Sequence, residues 1–517
     1  MYEYRARLES RKGLGMRPRS KKVVFFFPAF SSTEATAPLG ILAVATPLLR
    51  AGYDVRIIDS TITPNFKKRV IEELADALCL CVSLVTGPMI RETVEIARET
   101  KRLYPDVPVV LGGWHPSLLP HQTLAAAYVD VIVKGQGEDA LLEIVQRIEA
   151  RENFAGIEGA GYKEDGELIF NKPRALKPIV DMPPKAYHLA DFDAYERVCG
   201  RRWTNYVSSF ACPYNCSYCT NAGVYGRKWN ALPPDQVGEE LTDLVTRYRL
   251  QLVWIIDDNY TVDRARCVQI SEEILKRGAK FNWSVQASTN LVTRFTIDEL
   301  KIMQRSGLEQ MQMGADSGSP EVMHLMNKDF QKLEMIYDAA ERLTAAGIKP
   351  AFNMIFGYPG EGESQRRESI QLIMNICRKY PGAEFWTNIF TPYPGAPIME
   401  RAFELGIQTP QTMEGWAEFF PRYTVLPWLK GKKHRQVQIM RDYLRVAFNR
   451  IPVGRYRRTR LNRAVYELIA APARWRLDHN FFTFPIELWT KNLVDKVISP
   501  PKPLVDASPL SSEPVTC

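Results

Sequence analysis

Apolar positions along this chain switch repeatedly between two periods, and the switches divide it into alternating elements. Short, nearly continuous apolar runs read as strands: VVFFF (23–27), DVRIID (54–59), ALCLCVS (77–83), VPVVLGG (107–113) and VDVIVKG (129–135). Between and after them, over 38–52, 66–75, 89–104 and 138–150, apolar residues recur three and four apart, the helical period. Strands of near-continuous apolar character are buried on both faces, so this alternation predicts a parallel sheet covered by helices on each side. The expected fold of residues 19–150 is a doubly wound α/β domain, whose ligands bind beyond the carboxyl ends of its strands.

A second series follows. Strands are expected at 205–210, 252–257, 281–286, 308–314, 350–357 and 384–390, with helices at 234–249, 261–278, 297–306, 320–346 and 363–379. Six such units predict a partial (βα)6 barrel over 201–425, again with functional loops at the carboxyl ends of strands. The segment 151–200, rich in proline and aspartate, reads as a linker. Residues 426–500 read as a smaller, mostly helical region rich in aromatics and arginine. Residues 1–18 form an N-terminal extension, and 501–517 a tail expected to be disordered.

Composition changes this picture little. The 517 residues are 45% hydrophobic and 24% charged, as in ordinary globular proteins. At ~150 residues per domain the length suggests about three domains. The opening 22 residues lack the apolar run of a signal peptide, and no stretch reaches the ~20 apolar residues of a membrane span. The expected location is therefore the cytoplasm, and the expected state a monomer. Charge adds one feature: much of the net +8 lies in FNRIPVGRYRRTRLNR (448–463) and ARWR (473–476). That stretch is either a solvated helical face or a contact for an anionic partner. Peripheral contact with a membrane fits it, and nucleic acid is not an expected partner.

The nine cysteines are an odd number, and cytosolic thiols stay reduced. Three of them, Cys212, Cys216 and Cys219, lie in ACPYNCSYCTN, directly after the first strand of the second series. Metal ligation or thiol catalysis therefore takes precedence over disulfides. A CxxC pair alone suggests a redox dithiol or half a zinc site, but zinc needs a fourth ligand, and between His188 and His324 there is no histidine. Three thiolates can instead hold three irons of a [4Fe–4S] cube, leaving one iron open to chelate a small molecule. Cys79 and Cys81 share one strand and read as core residues.

CPYNCSYC matches the CxxxCxxC signature of the radical S-adenosylmethionine superfamily, with the aromatic Tyr218 before the third cysteine. The resemblance implies that the three cysteines hold the cluster. Its open iron then binds the amino and carboxylate groups of S-adenosylmethionine, and one electron releases methionine and a 5′-deoxyadenosyl radical. Further loops resemble the family's cofactor segments. IIDDNYT implies contacts from Asp257, Asp258 and Asn259 near the methionine amino group. Gln286 ends the third strand, near the ribose. MGADSGSP resembles the G-x-E-S-G segment and implies Asp316 and Ser317, with aspartate where glutamate is common. FGYPGEG resembles G-x-P-G-E and implies Pro359 and Gly360.

The domain order resembles the cobalamin-binding subfamily of these enzymes, over about 20–430. PLG (Pro38, Leu39, Gly40), SLVTG (Ser83, Thr86), GGWHP (Gly112, Gly113, His115) and KGQGE (Gly135, Gly137, Glu138) would surround the corrin and its nucleotide tail. From its residues alone, His115 is equally a turn residue. The D-x-H-x-x-G motif that supplies histidine to cobalt is absent, which leaves the lower cobalt face without an assigned protein ligand. The resemblance implies a methyltransferase that alkylates an unactivated carbon of a small-molecule or lipid-like substrate. Its electron donor would be of the flavodoxin or ferredoxin kind. An anaerobic cyclase or oxidative rearrangement enzyme of the magnesium-protoporphyrin ester type is the alternative, and a corrinoid carrier or redox protein a third. Tyr393 and Trp416, near and beyond the last strand, are expected either to shape the substrate pocket or to pack.

Overall fold

Lys22–Phe27 (β1) contributes to two cores at once. Val24 and Phe26 belong to one apolar cluster and Val23 and Phe25 to another, so successive side chains point to opposite faces of a sheet buried on both sides. Each fully buried side chain of this size stabilises the fold by roughly 1.5–3 kcal/mol. β1 pairs in parallel with Asp54–Asp59 (β2) and Cys79–Ser83 (β3), and Val109–Gly112 (β4) and Val131–Val133 (β5) extend the sheet. Cys79 and Cys81 lie in one core, as expected. The computed structural model describes residues 20–30, 35–420, 424–429, 431–448 and 460–490. The expected extension 1–18, the tail 501–517 and most of the basic stretch 448–463 lie outside the described residues or have undescribed side chains.

The first sheet is mixed rather than purely parallel. The expected linker supplies a hairpin, Ala160–Glu164 (β6) and Glu167–Phe170 (β7), and β6 runs antiparallel to β5. Its turn is Asp165-Gly166, both at positive φ, the pairing that a two-residue hairpin favours. That signal is present in the sequence but is outweighed by the surrounding prolines. Farther on, the same segment forms the helix Phe192–Cys199, capped by the Asp191 side chain.

Trp203–Tyr206 (β8) begins the second sheet. It is followed by a short antiparallel ribbon, Ser209–Phe210 (β9) with Asn230–Ala231 (β10). Leu252–Ile255 (β11), Asn282–Ala287 (β12), Leu308–Asp316 (β13), Lys349–Phe356 (β14) and Glu384–Ile389 (β15) then add in sequence order, all parallel. β8 and β15 form the two ends of this sheet and do not pair with each other, so the barrel is partial and its carboxyl edge is a continuous row of loops. The expected helix 320–346 is two helices, Pro320–Leu325 and Leu333–Ala345. Asn327, at φ 56° in the left-handed region, ends the helical path between them.

After β15 the chain returns to the first sheet. Met413, Trp416, Ala417 and Phe419 join its core. Trp416 is 1% exposed and donates its indole N–H to Gln122 at 2.7 Å, and Glu414 pairs with Arg98 at 2.7 Å. Trp416 is thus a packing residue rather than a pocket wall. The last unit begins at Arg435. Within it Arg476 is buried, bonds Glu487 at 2.8 Å and caps the carbonyls of Thr483 and Phe484. Among the described residues no helix is long and apolar enough to cross a membrane.

Candidate active site

The cysteine loop is held from both ends. Asp257, 1% exposed, follows β11 and accepts from the Ser208 N–H and from the Ser208 and Ser209 hydroxyls, each at 2.6 Å. The buried guanidinium of Arg266 donates to the Ser208 and Leu232 carbonyls. Ala211 then takes φ 66°, turning the chain sharply into Cys212. Inside the loop, Tyr214 stacks on Phe330 with centroids 3.9 Å apart and accepts from Asn290 at 2.6 Å. Asn327 donates to the Asn215 carbonyl at 2.7 Å, and the Ser217 N–H donates to the Met326 carbonyl at 3.0 Å. The Ser217 hydroxyl meets that of Tyr358 at 2.7 Å. The thiols are therefore presented by a preordered loop.

Cys212, Cys216 and Cys219 are free and half-buried. Burial raises all three thiols above their usual range, Cys216 to about 11. A redox dithiol needs the opposite shift. Among the described residues no three His, Cys, Asp or Glu side chains close on a single point as metal ligands. Three thiolates on one pinned loop suit a cubane, in which each would bind a different iron and leave the fourth open.

The other expected cofactor residues occupy the carboxyl edge of the second sheet but differ in what they are free to do. Asp258 is exposed there. Gln286 is exposed at the end of β12. Asn259 is buried, caps the following turn through Thr261, and points its amide at the Cys212 sulfur, 3.8 Å away. Tyr218 donates to Asp316 at 2.7 Å, and Asp316 also pairs with Lys328. Ser317 is fully buried and faces Ser369 of the outer helix layer, away from the edge. Pro359 is buried, while Gly360 is exposed at φ 93°.

Glu361 ends the same loop with a fully buried side chain. It accepts from the Gly357 N–H at 2.6 Å, and one carboxylate oxygen has no protein partner. Burial pushes it up to about 7. A raised carboxyl binds its proton more tightly in the folded state, so stability falls as pH rises from the unfolded value through about 7. The full cost is on the order of 3 kcal/mol. Glu361→Gln, which keeps the acceptor, is expected to flatten the dependence of the denaturation midpoint on pH between about pH 5 and 8. Parallel slopes for the two proteins in urea titrations contradict the assignment.

In the first domain a cavity of about 180 Å³ opens at the carboxyl ends of the strands. Gly40, Ser83, Gly112, Gly113, Gly135, Gly137 and Glu138 line it. Ser117 ties the two glycine loops together, donating to the Gly113 carbonyl at 2.7 Å and accepting from the Gly135 N–H at 3.0 Å. Pro38, Leu39, Thr86 and His115 are not among the lining residues. His115 is fully buried, bonded to Thr86 at 2.9 Å and edge-on to Trp416, and burial lowers its imidazole to about 4. It thus lies buried beside the cavity rather than in its lining, with its Nε2 unpartnered.

Sequence patterns missed the wall contributed by the second domain. Phe210, two residues before Cys212, and Tyr225, just beyond the loop, line the same cavity. Phe210 stacks on Tyr225 with centroids 5.2 Å apart, and Trp114 meets Tyr225 edge-on at 5.7 Å. Lys328 and Asn327 were also missed. The Asn-Lys-Asp run is a turn signal, and it was submerged in an apparently continuous helix.

Family models match twice: a B12 binding domain over residues 30–145 and the radical SAM superfamily over 206–373. The chain is 28% identical over 370 residues to an uncharacterised methyltransferase of Pyrococcus horikoshii, covering 71% of this chain and 78% of that protein. It is 25% identical over 292 residues to an anaerobic magnesium-protoporphyrin IX monomethyl ester cyclase of Synechocystis, covering 55% and 57%. It is also similar to the solved radical S-adenosylmethionine methyltransferase TsrM of Kitasatospora setae with cobalamin and a [4Fe–4S] cluster bound. That match has a TM-score of 0.62 and 20% identity, and covers 76% of this chain and 79% of that one. At this identity the likeness establishes the fold.

Proposed function

We propose that the chain, which carries a B12 binding domain followed by a radical SAM domain, is a cobalamin-dependent methyltransferase acting on an unactivated carbon. The observation that carries this is the shared wall: Phe210 and Tyr225, which flank the cysteine loop, line the glycine cavity of the other domain. Cluster loop and corrin cavity are thereby adjacent, as a route using both requires. When bound, the cofactors supply a 5′-deoxyadenosyl radical and a transferable methyl group.

The chain's own residues supply position. Cys212, Cys216 and Cys219 would hold the cluster on a loop fixed by Asp257, Arg266 and Asn327. Asp258, exposed at the edge, would hold the ammonium of S-adenosylmethionine, and Gln286 its ribose. Gly112, Gly113, Gly135 and Gly137 would let backbone approach the corrin tail. Among the described residues no histidine lines the cavity, so none of these lining residues would ligate cobalt through an imidazole. A one-electron donor such as flavodoxin or ferredoxin completes the system.

Anaerobic turnover with S-adenosylmethionine labelled in its methyl group tests this. Methyl transfer predicts label in the product, with both 5′-deoxyadenosine and S-adenosylhomocysteine accumulating. The likeness to the ester cyclase favours a second class, cyclisation or rearrangement. It predicts 5′-deoxyadenosine with neither S-adenosylhomocysteine nor label. A carrier gives no turnover.

We also propose peripheral membrane contact through the last unit. Trp475, Phe484, Ile486 and Trp489 are each more than half exposed, and residues 435–490 carry eleven Lys and Arg against four Asp and Glu. Exposed aromatics with basic charge suit an anionic lipid interface. Salt-sensitive cosedimentation with phosphatidylglycerol-containing vesicles, weakened by Trp475→Ala with Trp489→Ala, is the expected result. No binding, or binding indifferent to both changes, removes this proposal.

A further inference from the structure

Beneath the cysteine loop lies a buried charge pair. Asp316 ends β13 and Lys328 lies in the turn between the two following helices. Their side chains are 3% and 4% exposed. The pair is built rather than incidental. A register shift between Gly314 and Asp316 breaks the β13–β14 ladder, and Asp316 takes φ 61°, a left-handed conformation unusual for a side-chain-bearing residue. Gly314 makes room: a Cβ there would lie 3.0 Å from the Asp316 carboxylate and 3.3 Å from the Lys328 ammonium. Lys328 also donates to the Gly314 carbonyl at 2.9 Å.

The pair is wired to the loop by three routes. Tyr218, between Cys216 and Cys219, donates to Asp316 at 2.7 Å. Asn327, adjacent to Lys328, holds the Asn215 carbonyl, and Met326 accepts from the Ser217 N–H. Phe330, over whose ring Lys328 sits at 5.8 Å, stacks on Tyr214.

We propose that the Asp316–Lys328 pair is a positioning device that sets the reduction potential of the cluster held by Cys212, Cys216 and Cys219. The inference rests on the cluster assignment above. It gives Asp316 a task other than holding S-adenosylmethionine, since its carboxylate is already engaged by Tyr218 and Lys328. Reduction adds one negative charge to the cluster. In a site shielded from water a nearby cation favours that charge and a nearby carboxylate resists it. Paired, the two nearly cancel, and removing either one unmasks the other.

The experiment is a redox titration of the anaerobically reconstituted full chain without S-adenosylmethionine, followed by electron paramagnetic resonance of the reduced cluster. Lys328→Met is expected to lower the reduced-to-oxidised ratio at fixed potential by about threefold to tenfold, and Asp316→Asn to raise it. A tenfold change is about 59 mV for a one-electron couple. Lys328→Arg should stay near wild type, as should the doubly neutral Lys328→Met with Asp316→Asn. That double variant also covers the case in which a single unpaired charge prevents folding. Shifts of the same sign in the two single variants overturn the proposal, as does a double variant that cannot hold iron or that departs from wild type. A wild-type chain without a cluster instead overturns the cluster assignment, so the two failures are distinguishable.

Discussion

Replacing Cys212, Cys216 and Cys219 together by alanine is expected to remove all cluster iron and sulfide while leaving the protein folded. Wild type purified without oxygen should carry about four of each per chain. The loop should survive because its anchors are other groups: Asp257 on Ser208 and Ser209, Asn327 on the Asn215 carbonyl, and Tyr214 between Asn290 and Phe330. None of these anchors is a thiol side chain, and Asn259 approaches the Cys212 sulfur only at 3.8 Å. Truncating half-buried thiols costs little burial, at ~25 cal/mol per Å² of apolar surface. 5′-Deoxyadenosine formation should fall to background in the variant, with an unchanged circular dichroism spectrum. Iron retained by the variant, or zinc as the metal of the wild type, contradicts the assignment.

Gly113→Ala should strip the corrinoid at least tenfold, whereas Gly112→Ala one residue earlier should be tolerated. The same methyl group meets different surroundings. At Gly113 φ is 94°, and a Cβ would stand 2.7 Å from the Leu84 carbonyl oxygen, a backbone atom that cannot rotate away. Such a conformation costs about 1–3 kcal/mol for a side-chain-bearing residue, before the clash displaces the loop. At Gly112 the nearest atom would be the Val133 Cβ at 3.8 Å, an ordinary contact. The radical-forming half has its own sheet, so Gly113→Ala should still form 5′-deoxyadenosine while transferring little methyl. Corrinoid absorbance after gel filtration, measured beside nucleoside products, reads both effects. Equal retention by the two variants removes the cavity assignment.

The order of elements and the position of the thiols were legible before any coordinates. Apolar runs such as VVFFF report burial on two faces because side-chain direction alternates along a strand wherever that strand lies. The three-cysteine spacing points to a cluster loop because the candidate ligands are local in sequence. Other features depend on which distant segments meet. Asp257 reads as a cofactor contact, yet the fold brings Ser208 and Ser209 onto its carboxylate. His115 reads as a ligand or a turn, yet Trp416 covers it from about 300 residues away. Lys328 looks like one more surface cation on a helix until the break at Asn327 and the bulge before Asp316 bury the two charges together. Phe210 and Tyr225 join the glycine-lined cavity because the two sheets present their carboxyl edges to it. Sequence by itself determined the periods, the strand–helix order and the spacing of the three cysteines, since each is a matter of a few neighbouring residues. Tertiary structure decided which polar groups are spent on one another and which stay free for a cofactor, since that depends on register, burial and partners remote along the chain.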